Sequence, residues 1–165
     1  MSGSKEFPKK GQAVILDTHV WTAAAGDASA IDPVDASKLV ERVITACAHV
    51  SLSSVQIKEL MPHLTRLGHR YPQFGVPILS RLRGHPDNKL RSIPASSMKR
   101  LPKDLNARFN GNLKDDVHLY EAARVAGAVV VTEDPGQLRL GPLIAKRIGI
   151  EVRSLAQALG DDETP

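Results

Sequence analysis

Ala13-Val14-Ile15-Leu16-Asp17-Thr18 and Ala128-Val129-Val130-Val131-Thr132-Glu133-Asp134 decide how this 165-residue chain reads. Each is a short aliphatic run without polar alternation, and each leads directly to a carboxylate. Such runs suit strands of a parallel sheet whose two faces are both covered by helices, because neither side of the strand then meets water. All strands of a parallel sheet leave by the same edge, which is where open α/β sheets place ligands. Asp17 and Asp134 are therefore expected to meet at that edge, where they repel unless a cation lies between them.

Working outward, His49–Leu52, Leu90–Ile93 and Ile150–Arg153 read as further strands. Helical patterns separate them. One runs from Thr18 toward Ala25, with Trp21 in the core. A second is opened by Asp32-Pro33 and extends to about Ala48, with Leu39, Val40, Val43, Ile44 and Cys47 at helical spacing. A third spans Val55 to about Leu60 behind Ser53 or Ser54 as N-cap; Pro62 ends or bends it, and Leu64 and Leu67 continue its apolar stripe. Further helices are predicted over Tyr71–Gly84, from Leu113 or Asp115 to Ala126, over Pro142–Ile148 with Gly149 as stop signal, and over Leu155–Leu159. Residues 94–112, with Pro94, Pro102 and Asn110-Gly111-Asn112, read as loop. Strands alternating with helices predict an α/β fold, a three-layer α/β/α sandwich around a mostly parallel sheet. It is expected to form one domain over 11–159, between a disordered tail at 1–10 and an acidic tail at 160–165.

The net charge of +4 is unevenly spread. Residues 58–114 carry twelve Lys/Arg against three Asp/Glu, whereas 1–57 carry five against six and 115–165 five against nine. A basic middle segment beside an acidic edge suits a phosphodiester substrate, attracted by the surround and met by metal at the centre. A solvated surface or an acidic protein partner explains the basic segment equally well. No apolar stretch approaches the length of a membrane span, and the charged N-terminus has no apolar signal core. The single cysteine, Cys47, falls in a helical pattern and reads as a buried structural thiol. These features predict a cytoplasmic protein.

Four positions can supply carboxylates to one site: Asp17, Asp134, Glu59 on the helix after the second strand, and either Asp115 or Asp116. Adjacent helical residues diverge by about 100°, so Asp115 and Asp116 are not equivalent, and helical phase leaves the choice open. Each has an ordinary explanation: a helix N-terminus for Asp115 and Asp116, a turn at Asp134-Pro135-Gly136, a solvated face for Glu59. Asp17 is hardest to explain away, because a charge at the end of a buried strand is costly. Clustered carboxylates without Cys/His ligand spacing favour a hard cation, Mg²⁺ or Mn²⁺. His118 is expected to face solvent, and His19 to lie near the site without ligating metal.

Three blocks resemble the PIN-domain ribonucleases, and within them the toxins of VapC type. Val14-Ile15-Leu16-Asp17-Thr18-His19-Val20-Trp21 is similar to the family's opening strand. Ser51-Leu52-Ser53-Ser54-Val55-Gln56-Ile57-Lys58-Glu59-Leu60 resembles its second block, with Glu59 as the glutamate. Asp116 through Asp134, beginning Asp-x-His-Leu and ending Val-Thr-Glu-Asp, is similar to the third. The resemblance implies a PIN-like fold, selects Asp116 over Asp115, and adds Thr132 as a polar support. It implies metal-dependent hydrolysis of RNA by Asp17, Glu59, Asp116 and Asp134, and it suggests an antitoxin partner and a homodimer. Between Pro62 and Leu113 no motif matches. Other readings weigh less. A haloacid-dehalogenase phosphatase needs a second Asp where His19 stands, and a response regulator needs an acidic pair and a strand-end Lys that are not apparent. A PIN-like RNA-binding or protein-interaction module, or a nuclease of ribosome maturation, is the alternative.

Overall fold

The computed structural model describes residues 6–27, 30–63, 65–66 and 90–160. The elements in chain order are β1 (Ala13–Leu16), α1 (Thr18–Ala24), α2 (Pro33–Thr45), β2 (His49–Ser53), α3 (Ser54–Leu60), β3 (Leu90–Ile93), α4 (Lys103–Asn106), α5 (Val117–Ala126), β4 (Val129–Val131), α6 (Pro135–Ile148), β5 (Val152–Arg153) and α7 (Leu155–Leu159). The predicted helix over Tyr71–Gly84, the stripe through Leu64 and Leu67, and the tails at 1–5 and 161–165 lie outside the described residues.

The protein is an α/β sandwich of three layers around a five-stranded, all-parallel sheet in the order β3-β2-β1-β4-β5. The central strands β1 and β4 alternate their side chains between two cores. Val14, Leu16, Val50, Leu52, Val129 and Val131 face α1, α2, α3 and α7, together with Trp21, Leu39, Val43 and Leu159. Ile15, Ile93 and Val130 face α4, α5 and α6, together with Leu119, Tyr120 and Ile144. Each buried Val, Leu or Ile contributes about 1.5–3 kcal/mol, and burial on both faces is why β1 and β4 carry no polar alternation, whereas β2 alternates with Ser51 and Ser53 buried on its other face. With β1 in the middle and β2 and β4 on either side, the exit of β1 is the centre of the carboxyl edge.

Several elements differ from the sequence expectation. α2 stops at Thr45 rather than near Ala48, and Cys47 takes a left-handed φ of 56° beyond the helix end. Its thiol is half-exposed, not buried in a helical stripe. Asp134 does not begin a turn: it caps α6, which starts at Pro135, several residues before the predicted Pro142. Pro135 costs nothing at the first position, where its missing N–H would have no partner. Residues 95–97 form a 3₁₀ turn and 103–106 a short helix, and Leu101, Leu105 and Phe109 are buried. This segment is thus a working part of the second core, tied to α6 by Arg147 Nη2 donating to Asp104 Oδ1 at 2.8 Å. Residues 6–10, expected within the tail, include the buried Phe7, with the Arg153 guanidinium 4.6 Å from its ring centre. No helix among the described residues is long and apolar enough to cross a membrane.

Candidate functional site

Asp17 emerges from β1 nearly buried, at 3 % exposure. Its backbone N–H donates to Val131 O at 2.9 Å, extending the β1–β4 pairing one residue past the strand. It stands at the N-cap of α1, yet its carboxylate makes no capping bond there. Instead Asp17 Oδ2 accepts from Thr132 Oγ1 at 2.7 Å and from Gln137 Nε2 at 3.2 Å. Two donors thus converge on one oxygen of this buried carboxylate and fix its orientation. Thr132, fully buried, accepts in turn from the Asp134 N–H at 3.1 Å, so the exits of β1 and β4 are laced together.

Asp134 caps α6 by accepting from Gln137 N at 3.0 Å through Oδ1. Gly136 lets another segment approach. A Cβ there would stand 3.0 Å from Asp134 Oδ1 and 3.1 Å from both methyls of Leu113. Leu113 belongs to the 3₁₀ segment Gly111–Asp116, which delivers Asp116 to the N-cap of α5. The third block therefore begins with its aspartate just outside the helix rather than within it. Asp116 makes no capping bond. Its carboxyl is pushed up to about 6, first by burial and then by the charges of Asp17 and Asp134; His19 and a hydrogen bond from Gln137 offset part of this. Asp115 is exposed and turned to a neighbouring cleft.

Glu59 joins from the other side. Thr18 Oγ1 donates to its Oε2 at 2.7 Å, and His118 Nε2 lies 3.8 Å from its Oε1. His118 does not face solvent: its side chain is 12 % exposed, and Nδ1 is 2.7 Å from Ser53 Oγ. Ser53 Oγ also accepts from Gln56 N, so one hydroxyl joins the start of α3 to His118. Burial holds the His118 imidazole below its usual value, against the pull of Glu59 and Asp17.

The fold thus brings Asp17, Asp116, Asp134 and Thr132 together at the β1/β4 exit, and ties Glu59 to them through Thr18 and His118. Sequence reasoning missed Gln137, Gln56, Tyr120 and the role of His118. Gln137 is fully buried; its Oε1 accepts from Tyr120 Oη at 2.6 Å, which turns its amide NH₂ toward the carboxylates. On the opposite side of β1, Gln56 Nε2 donates to the Leu16 carbonyl. One signal was available: Asp134-x-x-Gln137 has the capping-box pattern.

Carboxylate oxygens and like-charge crowding suit a hard divalent cation. Among the described residues, however, no three His, Cys, Asp or Glu side chains stand so as to hold one ion. Oδ2 of Asp17 and Oδ1 of Asp134 are engaged by the frame, which leaves Asp17 Oδ1 and Asp134 Oδ2 without a hydrogen bond among the described residues. No family model, curated protein or solved structure matches the chain.

Proposed function

We propose that the protein is a divalent-metal-dependent endoribonuclease of PIN type, with Asp17, Asp116 and Asp134 holding Mg²⁺ or Mn²⁺ and Glu59 contributing directly or through water. One residue carries the reading: Gln137 donates to Asp17 through its side chain and to Asp134 through its backbone N–H, beside Asp116, whose carboxyl is raised in part by the charges of those two acids. Two acids held by one residue, with a third close enough to feel their charge, leave an excess of negative charge that a cation would neutralise.

The bound ion would lower the pKa of a water and neutralise charge on the phosphate. The chain supplies the rest. Thr132 and Gln137 fix Asp17 in one orientation, while Tyr120 fixes Gln137. His118, whose imidazole burial holds below its usual value, stands beside Glu59 with Nε2 3.8 Å from Oε1, and Thr18 Oγ1 donates to the other oxygen of that carboxylate. Lys and Arg of the basic segment hold the RNA backbone, and loops select among unpaired bases. The same reading makes the protein cytoplasmic, a homodimer, and the toxin of a pair neutralised by an antitoxin protein.

The test is cleavage of structured and unstructured RNAs with Mg²⁺, Mn²⁺ or EDTA. Asp17→Asn and Asp116→Asn should each reduce cleavage by at least about 100-fold, the scale of losing a principal charge-stabilising group. Variants that cut like the parent would trace the activity to a contaminant. The absence of a preformed three-ligand group among the described residues favours a second reading, a PIN-like RNA-binding module. That module would bind RNA equally in EDTA and cleave nothing.

A further inference from the structure

Beside the acidic edge, between α3, α4 and the first turns of α5, lies an open cleft of about 740 Å³, within the range of small-molecule sites. Its inner wall is His118 and Val117, directly after Asp116, so it opens from the same corner of the fold as the carboxylates. Val55 forms another wall and is one of three large apolar side chains exposed among the described residues. Around these stand Asn106, Asn110, Lys114, Asp115 and Glu121. Among the described residues, no hydrogen bond or ion pair occupies the side chains of Asn106, Asn110 or Glu121.

The lining is unlike a phosphate track. One lysine faces two carboxylates, so the cleft offers a polyanion little net attraction. What it offers is a mixed set: two amides that both donate and accept, two carboxylates that only accept, and apolar surface at Val55 and Val117 for a flat ring. Base edges are read by such groups, and carboxylates accept from exocyclic amino groups. Uracil has no amino group, and its carbonyl oxygens would be turned against Asp115 and Glu121.

We propose that this cleft is a subsite for one unpaired nucleobase of a single-stranded RNA, selective for a base bearing an exocyclic amino group (adenine, cytosine or guanine) over uracil. The proposal rests on the nuclease reading for its RNA substrate and deepens it by naming what the flanking nucleotide must be. Asn106 and Asn110 read the base edge, Glu121 and Asp115 accept from its amino group, and Val55 packs on its face. Lys114 at the rim takes the adjoining phosphate.

The experiment measures binding of fluorescently labelled oligoadenylate, oligocytidylate and oligouridylate to the full chain in EDTA, followed by cleavage of the same oligomers with Mn²⁺. Oligoadenylate and oligocytidylate should bind at least about fivefold more tightly than oligouridylate, the scale of one added hydrogen bond. Glu121→Gln and Asn110→Ala, both at accessible positions, should bring the three affinities within about twofold of one another. Equal affinities in the parent, or a preference untouched by both variants, would overturn the subsite. Base preference without cleavage would support the subsite and overturn the nuclease reading; cleavage with equal affinities would do the reverse.

Discussion

Three helices of this protein start in the same way and end up serving different masters. After β2, β4 and β5 the chain places a capping residue followed three positions on by glutamine: Ser53 and Gln56, Asp134 and Gln137, Ser154 and Gln157. In all three the cap accepts from the glutamine N–H, at 3.0, 3.0 and 3.1 Å. At the sheet's far edge, exposed Gln157 turns back and accepts from Ser154 N at 2.9 Å, closing a capping box. Beside β1 the other two do not turn back. Gln56 reaches the Leu16 carbonyl and Gln137 the Asp17 carboxylate, gripping the exit of β1 from its two neighbours. Position in the sheet decides: β2 and β4 flank the central strand, and β5 does not. Gln56 also leaves its buried Oε1 without a hydrogen-bond partner among the described residues. That is a cost which points to the grip itself as the reason for the residue.

The contrast is broken most forcefully at Gln137. Gln137→Ala removes a buried amide, strands the Tyr120 hydroxyl and opens a cavity, so urea denaturation should show a loss of about 3 kcal/mol. A loss below about 1 kcal/mol would mean the grip carries no load. Next in size is the penalty at Asp116. Its folded pKa, about 6, lies above the ordinary 3.8, so the folded state binds the proton more tightly than the unfolded one. Asp116 therefore destabilises above about pH 6 and ceases to do so as pH falls toward 4. His118, lowered by burial, opposes this by favouring unfolding as it charges, so the parent's own pH profile mixes the two. Asp116→Asn separates them. It should exceed the parent by about 1–2 kcal/mol at pH 7.5, after discounting for the solvent reaching a half-buried group, and match it near pH 4. A gap that does not close on acidification would refute the like-charge account.

Smaller effects sharpen the comparison. Tyr120→Phe keeps the ring in the core and deletes only the bond to Gln137 Oε1, so denaturation should show about 1 kcal/mol lost. Gln157→Ala, which opens an exposed capping box, should cost only about 0.5 kcal/mol. Equal losses at Gln157 and Gln137 would erase the distinction between the two regions.

Much of this was legible because short aliphatic runs ending on a carboxylate have few other readings. β1 and β4 fall where those runs do, β2 and β3 start at the expected His49 and Leu90, and Asp32, Ser53 and Gly149 mark helix ends through local chemistry alone. The misreadings have physical causes. Pro135, Gly136 and Pro142 look like breakers, yet Asp134 caps the helix, Pro135 occupies its first turn, and the helix runs on through Pro142. Residues 94–112 look like loop because Pro94, Pro102 and Asn110-Gly111-Asn112 break the segment, although Leu101, Leu105 and Phe109 recur every four residues and fill the second core. Cys47 kept helical spacing past Thr45, where the helix ends, and is itself the left-handed residue that follows. At the site, acids were visible because charges beside apolar strands are conspicuous. Gln137 and Tyr120 were not, since neutral partners leave no charge signature in a sequence.

Calorimetric titration of Mn²⁺ into protein stripped with EDTA bears most directly on whether these carboxylates act as one centre. Saturable binding by the parent, lost in Asp17→Asn and weakened at least about tenfold in Gln137→Ala, is the expected result, since supports of metal ligands act on that scale. No saturable binding in the parent, or binding untouched by Asp17→Asn, would contradict it.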